Sequence, residues 1–238
     1  EMVGLESGSV TPSGNVTLAG LANVLDTRSV KVNGVEVSWT AWSGAWNATI
    51  HLLPGVNRVV IQAFGSNQTE IARAFVDITF NDGTEELVSG AITGATTWWA
   101  NNGPYHVTGD VTVGSGATLT IESGTTVYFD PSTRLSVSGT GRLLAEGTDT
   151  QRIRLALAPG RTGAWSFLDF NSASQESRVV PVDFDGAGAG GHTLNALNSI
   201  LYLDDCTFTN TTAQYITLEN SSFNIRRCVF PDNNGVEL

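Results

Sequence analysis

The sequence predicts an all-β chain: a β-sandwich followed by a coil of short, stacked strands. Three observations predict it. Long apolar-periodic runs suited to helices are absent, and short β-branched runs cut by Gly, Asn, Asp and Ser take their place. Residues from about 10 to 80 alternate apolar and polar side chains around hairpin-turn dipeptides. From residue 90 the strands shrink to about four residues each and begin to repeat.

In the first region, "SVKVNGVEVSW" sets alternating valines on either side of Asn33-Gly34, a dipeptide that tolerates the positive φ a tight hairpin needs. "WNATIHLLPGVNRVVIQAF" alternates again around "PGVN", and "IARAFVDITF" supplies a last strand. Parity makes Val30, Val32, Trp46, Ile50, Val59, Ile61, Phe75 and Ile78 core-facing. These same segments resemble the immunoglobulin-like modules of bacterial extracellular enzymes, including the glucodextranase B-type family, over roughly residues 10–80. That resemblance implies a sandwich and carries no catalytic residues with it. The polar, turn-rich "NDGTEELVSG", residues 81–90, marks a boundary, giving a sandwich over 1–84 and a second domain over 85–238.

In the second region, Val111 and Val113, Leu119 and Ile121, Val127 and Phe129, and Leu135 and Val137 make successive inward pairs. Such pairs arise when a chain coils and each turn stacks on the last, burying one continuous column. A longer repeat continues the pattern. Leu203, Cys206 and Phe208 of "LYLDDCTFTN" fall on Ile225, Cys228 and Phe230 of "FNIRRCVFPD", 22 residues later, and Val179, Val182 and Phe184 precede them by 24. The segment "GDVTVGSGATLTIESGTTVYFDPSTRLSVSGTGRLLAEGT" and its flanks resemble right-handed parallel β-helix proteins of bacterial surfaces and secretions, over about residues 90–238. The resemblance implies the right-handed coil. It leaves function open, because lyases, hydrolases, adhesins and passive stalks share that fold. The sequence stops at "NNGVEL" inside a repeat and so reads as a truncated helix, a piece of a longer protein with further domains.

Composition narrows the partners. Hydrophobic residues reach 41% and charged residues 15%, which suits a globular chain. The net charge of −11, with Lys31 the only lysine, argues against nucleic acid and against an anionic membrane surface. No run approaches the roughly 20 apolar residues of a membrane-spanning helix. Five Asn-x-Ser/Thr triplets, at Asn15, Asn47, Asn67, Asn210 and Asn220, read as the chance product of an Asn- and Thr-rich chain.

Few constellations carry chemistry. Asp204 and Asp205 form the adjacent acid pair that glycoside hydrolysis uses, and polygalacturonase-type β-helices carry such a pair. The His-Gly and Arg-x-Lys elements of that family are missing, and one repeat later Arg226 and Arg227 stand opposite, so a salt-bridge ladder is expected. Pectate-lyase-type β-helices bind calcium through aspartate clusters. Asp183 and Asp185 of "VDFDGAGAGGH" flank inward Phe184 and face outward, leaving Ca²⁺ as the one cofactor the sequence keeps open beside a purely structural role. The histidines His51, His106 and His192 have no Cys or carboxylate at ligand spacing along the chain. Cys206 and Cys228, on adjacent turns, fit either stacked free thiols or a disulfide.

Six tryptophans remain. Trp46 and Trp165 follow core parity, while Trp39 and Trp42 lie in the loop after "VNGVEV". Trp98, Trp99 and Tyr105 fall where the coil begins, where they either cover its first turn or form a flat platform for sugar rings. The sequence therefore predicts a non-catalytic extracellular module for glycan binding or surface attachment, with Trp98, Trp99, Tyr105 and Trp42 as contacts and a neutral polysaccharide as partner. A truncated polysaccharide lyase or hydrolase and a passive spacer are the competing readings.

Overall fold

The computed structural model describes residues 2–3 and 6–231, so Asp232 and the "NNGVEL" stretch lie outside the described residues. Strand is its regular structure; among the described residues one 3-10 turn, Ala100–Asn102, is the helical element. The chain gathers into two compact units, Glu1–Gly83 and Thr84–Leu238.

The first unit is a sandwich of two sheets. One runs Met2–Val3, Asn15–Leu21, Ala45–His51, Ser38–Trp39, with antiparallel pairing throughout. The other runs Ser9–Thr11, Glu70–Phe80, Gly55–Phe64, Ser29–Val32, Val35–Glu36. Strict alternation of buried and exposed residues along Ala45–His51 places Trp46, Ala48 and Ile50 against Val30, Val59, Ile61, Val76 and Ile78 of the facing sheet. At the hairpin, Asn33 and Gly34 both take positive φ, 49° and 78°, the condition for a type I′ turn. One expectation needs correction: Phe75 is 54% exposed. Val59 pairs with Val76, so Val76 and Ile78 occupy the inner face and Phe75 falls on the outer one, where the Arg58 guanidinium lies 5.8 Å from its ring.

The second unit is a parallel β-helix with three faces. The first face stacks the start of Tyr105–Val113, then Thr126–Phe129, Ile153–Leu157, Val182–Asp185 and Thr207–Thr209. The second stacks the end of Tyr105–Val113, then Leu135–Ser138, Leu168–Asn171, His192–Leu197 and Gln214–Glu219. The third is a six-stranded sheet, Ala95–Trp98, Thr118–Ile121, Arg142–Glu146, Ser177–Val180, Ile200–Asp204 and Ser222–Arg226. Every inward pair expected from the short repeat is buried.

The longer repeat sets the register. Val179 pairs with Leu203, Phe184 with Phe208, and Leu203 with Ile225. A column of aromatic rings results: Phe184 stacks on Phe208 at 4.8 Å and Phe208 on Phe230 at 5.1 Å, while Trp165 lies 4.4 Å from Phe129. Each fully buried Phe contributes about 1.5–3 kcal/mol of transfer free energy, and each stacked pair about 0.5–1.5 kcal/mol more.

Corners complete the coil. Ser172, Asn198 and Asn220 follow the paired residues Asn171, Leu197 and Glu219, and each adopts a left-handed backbone with φ between 48° and 54°. Asparagine enters that region at lower cost than most residues, which explains its recurrence there. The next residue seals the corner. Ser199 accepts a hydrogen bond from the Ala173 N–H at 3.0 Å, and Ser221 accepts one from the Ser199 N–H at 3.0 Å. The Asn220 triplet is thus part of a structural corner.

Candidate functional site

The four aromatic candidates do not form one platform. Trp98 ends a strand in register with Ile121, so its ring points inward and is 4% exposed. Tyr105 stacks on it with centroids 4.9 Å apart and accepts a hydrogen bond from the Trp99 N–H at 2.9 Å. Burial raises the Tyr105 phenol above its ordinary value. This pair packs into the first turn of the helix core, which corrects the expectation of an exposed stacking surface at Trp98 and Tyr105. Trp99, one residue on, faces the other way and is 54% exposed.

Trp42 belongs to the sandwich and is 86% exposed, more than any other large apolar side chain described. Its turn is held by the Ala22 N–H, which donates to Gly44 O at 2.8 Å. Gly44 has φ of 73°, and a Cβ there would meet Ala22 O at 2.2 Å, so the close approach requires glycine. Ala22 in turn lines an open hollow of about 590 Å³ at one end of the sandwich. Its walls include Val30, Trp46, Ile61 and Ile71, and its polar lining includes Asn23, Asn67 and Arg73.

On the outward side of the first helix face, Asp183 and Asp185 meet guanidinium groups. Arg152 donates from Nε to Asp183 Oδ1 at 2.8 Å, and Arg154 Nη2 lies 3.6 Å from Asp183 Oδ2. Thr207 donates to the same Asp183 Oδ1 at 2.6 Å, and Asn210 donates to Asp185 Oδ1 at 2.6 Å. Asp183 is 3% exposed. Its charge is matched by arginines held one strand away, because Arg154 and Asp183 are in register. Of the two roles the sequence keeps open for Asp183 and Asp185, this geometry favours the structural one: their oxygens serve an ion-pair network, and among the described residues no group of three or more His, Cys, Asp or Glu side chains gathers to hold a cation.

The acid pair is structural too, in the expected register but with different side-chain partners. Asp204 and Arg226 are paired backbone neighbours, yet the side chain that grips Asp204 is Arg227, through Nε at 2.7 Å and Nη2 at 2.8 Å. Asp205 is held instead by Arg152 Nη1 at 3.0 Å. The offset follows from the corner: Asp205 and Arg227 both have positive φ, 54° and 50°, which turns their side chains away from the strand alternation. The Arg227 guanidinium holds the Asp204 carboxyl below its ordinary value, the opposite of what a general acid requires.

Sequence spacing alone concealed one cluster. His106, 7% exposed, has Nδ1 2.7 Å from Glu85 Oε2 and Nε2 3.2 Å from Asp130 Oδ1. Arg161 Nε closes the chain at 2.8 Å from the same Asp130 oxygen. Tyr128, in register with His106, is pushed up to about 12, first by burial and then by the Glu85 charge. Ligand spacing along the chain could not find these partners. The coil period could have, since Glu85 and Asp130 lie 21 and 24 residues from His106, about one turn on either side. With carboxylates on both ring nitrogens, His106 works as a strut between turns and leaves no ring nitrogen free for substrate.

Comparison with protein-family models and with curated proteins finds no match to this chain.

Proposed function

We propose that this chain is a non-catalytic extracellular module that binds neutral polysaccharide weakly through the open end of its sandwich, with the β-helix as a rigid support. The observation that carries the reading is Trp42, 86% exposed on a turn hydrogen-bonded to the wall of a hollow of about 590 Å³. A flat indole beside a cleft with amide and guanidinium side chains suits a sugar ring, whose C–H face stacks on the aromatic and whose hydroxyls hydrogen-bond. The volume lies within the few-hundred to ~1,000 Å³ range of ligand sites. Absence of catalysis is supported by the pairing of Asp130, Asp183, Asp204 and Asp205 with arginines. Such pairing occupies these carboxylates with structural partners and sets no acid against a base across one groove. An extracellular setting rests on the resemblance of both regions to bacterial secreted and surface modules.

Affinity electrophoresis in gels of neutral polysaccharides tests the proposal. Retardation of the native chain, lost in Trp42→Ala and kept in Trp99→Ala, is the expected result. Retardation unchanged by Trp42→Ala would move the site elsewhere. Release of reducing ends or unsaturated products would make the chain an enzyme, and no binding to any glycan would leave a structural spacer.

A further inference from the structure

Both cysteines sit at one corner of the helix, immediately after the left-handed residues Asp205 and Arg227. The bridge between Thr207 and Val229, with the Val229 N–H donating to Cys206 O at 2.8 Å, sets Cys206 opposite Cys228 on the next turn. Strands in this direction are about 4.8 Å apart, inside the Cα separation a disulfide accepts. The two side chains take equivalent positions: Cys206 Sγ lies 3.6 Å from Asp204 O and Cys228 Sγ 3.3 Å from Arg226 O, each two residues back. Both thiols are free in this structure, Cys206 buried and Cys228 partly accessible.

We infer that Cys206 and Cys228 form a thiol pair that a peroxide oxidises to a disulfide across two turns of the helix. Cys228 is the attacking group. Its thiol is lowered below the ordinary cysteine value, chiefly by its pairing with the Cys206 thiol, which favours its thiolate. Cys206 is raised by that same pairing and by burial, and its Sγ lies 3.3 Å from Val179 O, so it is the resolving thiol. The Cys228 thiolate attacks one oxygen of hydrogen peroxide, the O–O bond breaks, and hydroxide leaves to take up a proton as water. The Cys228 sulfenic acid so formed is attacked by the Cys206 sulfur. The S–S bond forms, the S–O bond breaks, and the hydroxyl departs with the Cys206 proton as a second water. Two thiols and one peroxide thus become one disulfide and two waters. The reaction clips the last described turn to the one before it.

Treatment of the intact chain with hydrogen peroxide at neutral pH, followed by maleimide titration and mass spectrometry, tests this. Both thiols should disappear together, with the loss of two hydrogens per chain and a linked peptide pair holding Cys206 and Cys228. In Cys228→Ala, whose side chain is partly accessible, Cys206 should lose its maleimide reactivity to peroxide at least about tenfold more slowly. Cys206→Ala should stop at a sulfenic acid that dimedone traps. A Cys228 sulfinic acid in the native chain with Cys206 still free, or a disulfide only between chains, would overturn the inference. The native-chain mass decides even if Cys206→Ala fails to fold.

Discussion

Arg227 grips Asp204 with two arms, Nε at 2.7 Å and Nη2 at 2.8 Å, across one turn of the helix. The folded Asp204 carboxyl is lowered from its ordinary 3.8, so its contribution to stability is present above that value and disappears as pH falls through the lower folded one. Arg227→Ala removes the main cause of that lowering. Thermal melts of native and Arg227→Ala chains should differ above about pH 5 and converge as the pH approaches the folded Asp204 value. A difference that persists at the acid end would mean Arg227 acts through packing.

Asp183 is far more enclosed. It is flanked by Arg152, whose side chain is 9% exposed, and by Arg154 at 13%. Asp183→Asn leaves two guanidinium groups short of a counter-charge, a change that costs about 3–5 kcal/mol when the partner stays buried. Urea denaturation should show that loss. Excess calcium or a chelator should leave the native midpoint where it is, whereas a calcium-induced rise would restore the cation reading for Asp183 and Asp185.

The aromatic column and the sandwich surface offer a controlled contrast. Phe208 is fully buried between Phe184 and Phe230, and Phe208→Ala should destabilise by about 3–5 kcal/mol. Phe75→Ala, at an exposed outer position, should stay within about 1 kcal/mol. Equal losses at both positions in chemical denaturation would contradict the register that turns Phe75 outward.

Asn198 turns its corner at φ 48°. Asn198→Ala should cost about 1–2 kcal/mol, the penalty of a Cβ-bearing residue in the left-handed region, and Asn198→Gly should be tolerated much better. Midpoints for the two variants, measured side by side, separate backbone strain from loss of the amide side chain.

The helix was legible because its signal is a period. Leu203, Cys206 and Phe208 repeat as Ile225, Cys228 and Phe230, and stacking identical positions needs no knowledge of side-chain direction. The signal weakens where direction matters. Phe75 departs from its expected face because one residue of parity reverses a strand's faces, and the pairing of Val59 with Val76 is a long-range fact. Asp205 was aligned with Arg227 correctly along the chain, but positive φ at both residues re-aims their side chains. The strut of Glu85, His106 and Asp130 is hidden in the sequence for another reason: its members are neighbours only after the chain has coiled. Trp98 and Tyr105 had two sequence readings, and burial selects the core one.

Arg152 gives the helix a property that stacking alone would not. A solenoid held only by contacts between adjacent turns can peel from its end one turn at a time, each release independent of the next but one. Arg152 stands on one turn, bonds Asp183 on the following turn at 2.8 Å, and reaches Asp205 on the turn after that at 3.0 Å. The turn that carries Asp205 cannot leave without taking from nearly buried Arg152 one of its two carboxylate partners, so its release is coupled to a second neighbour. That single side chain shifts the array from a zipper toward a block that opens three turns together.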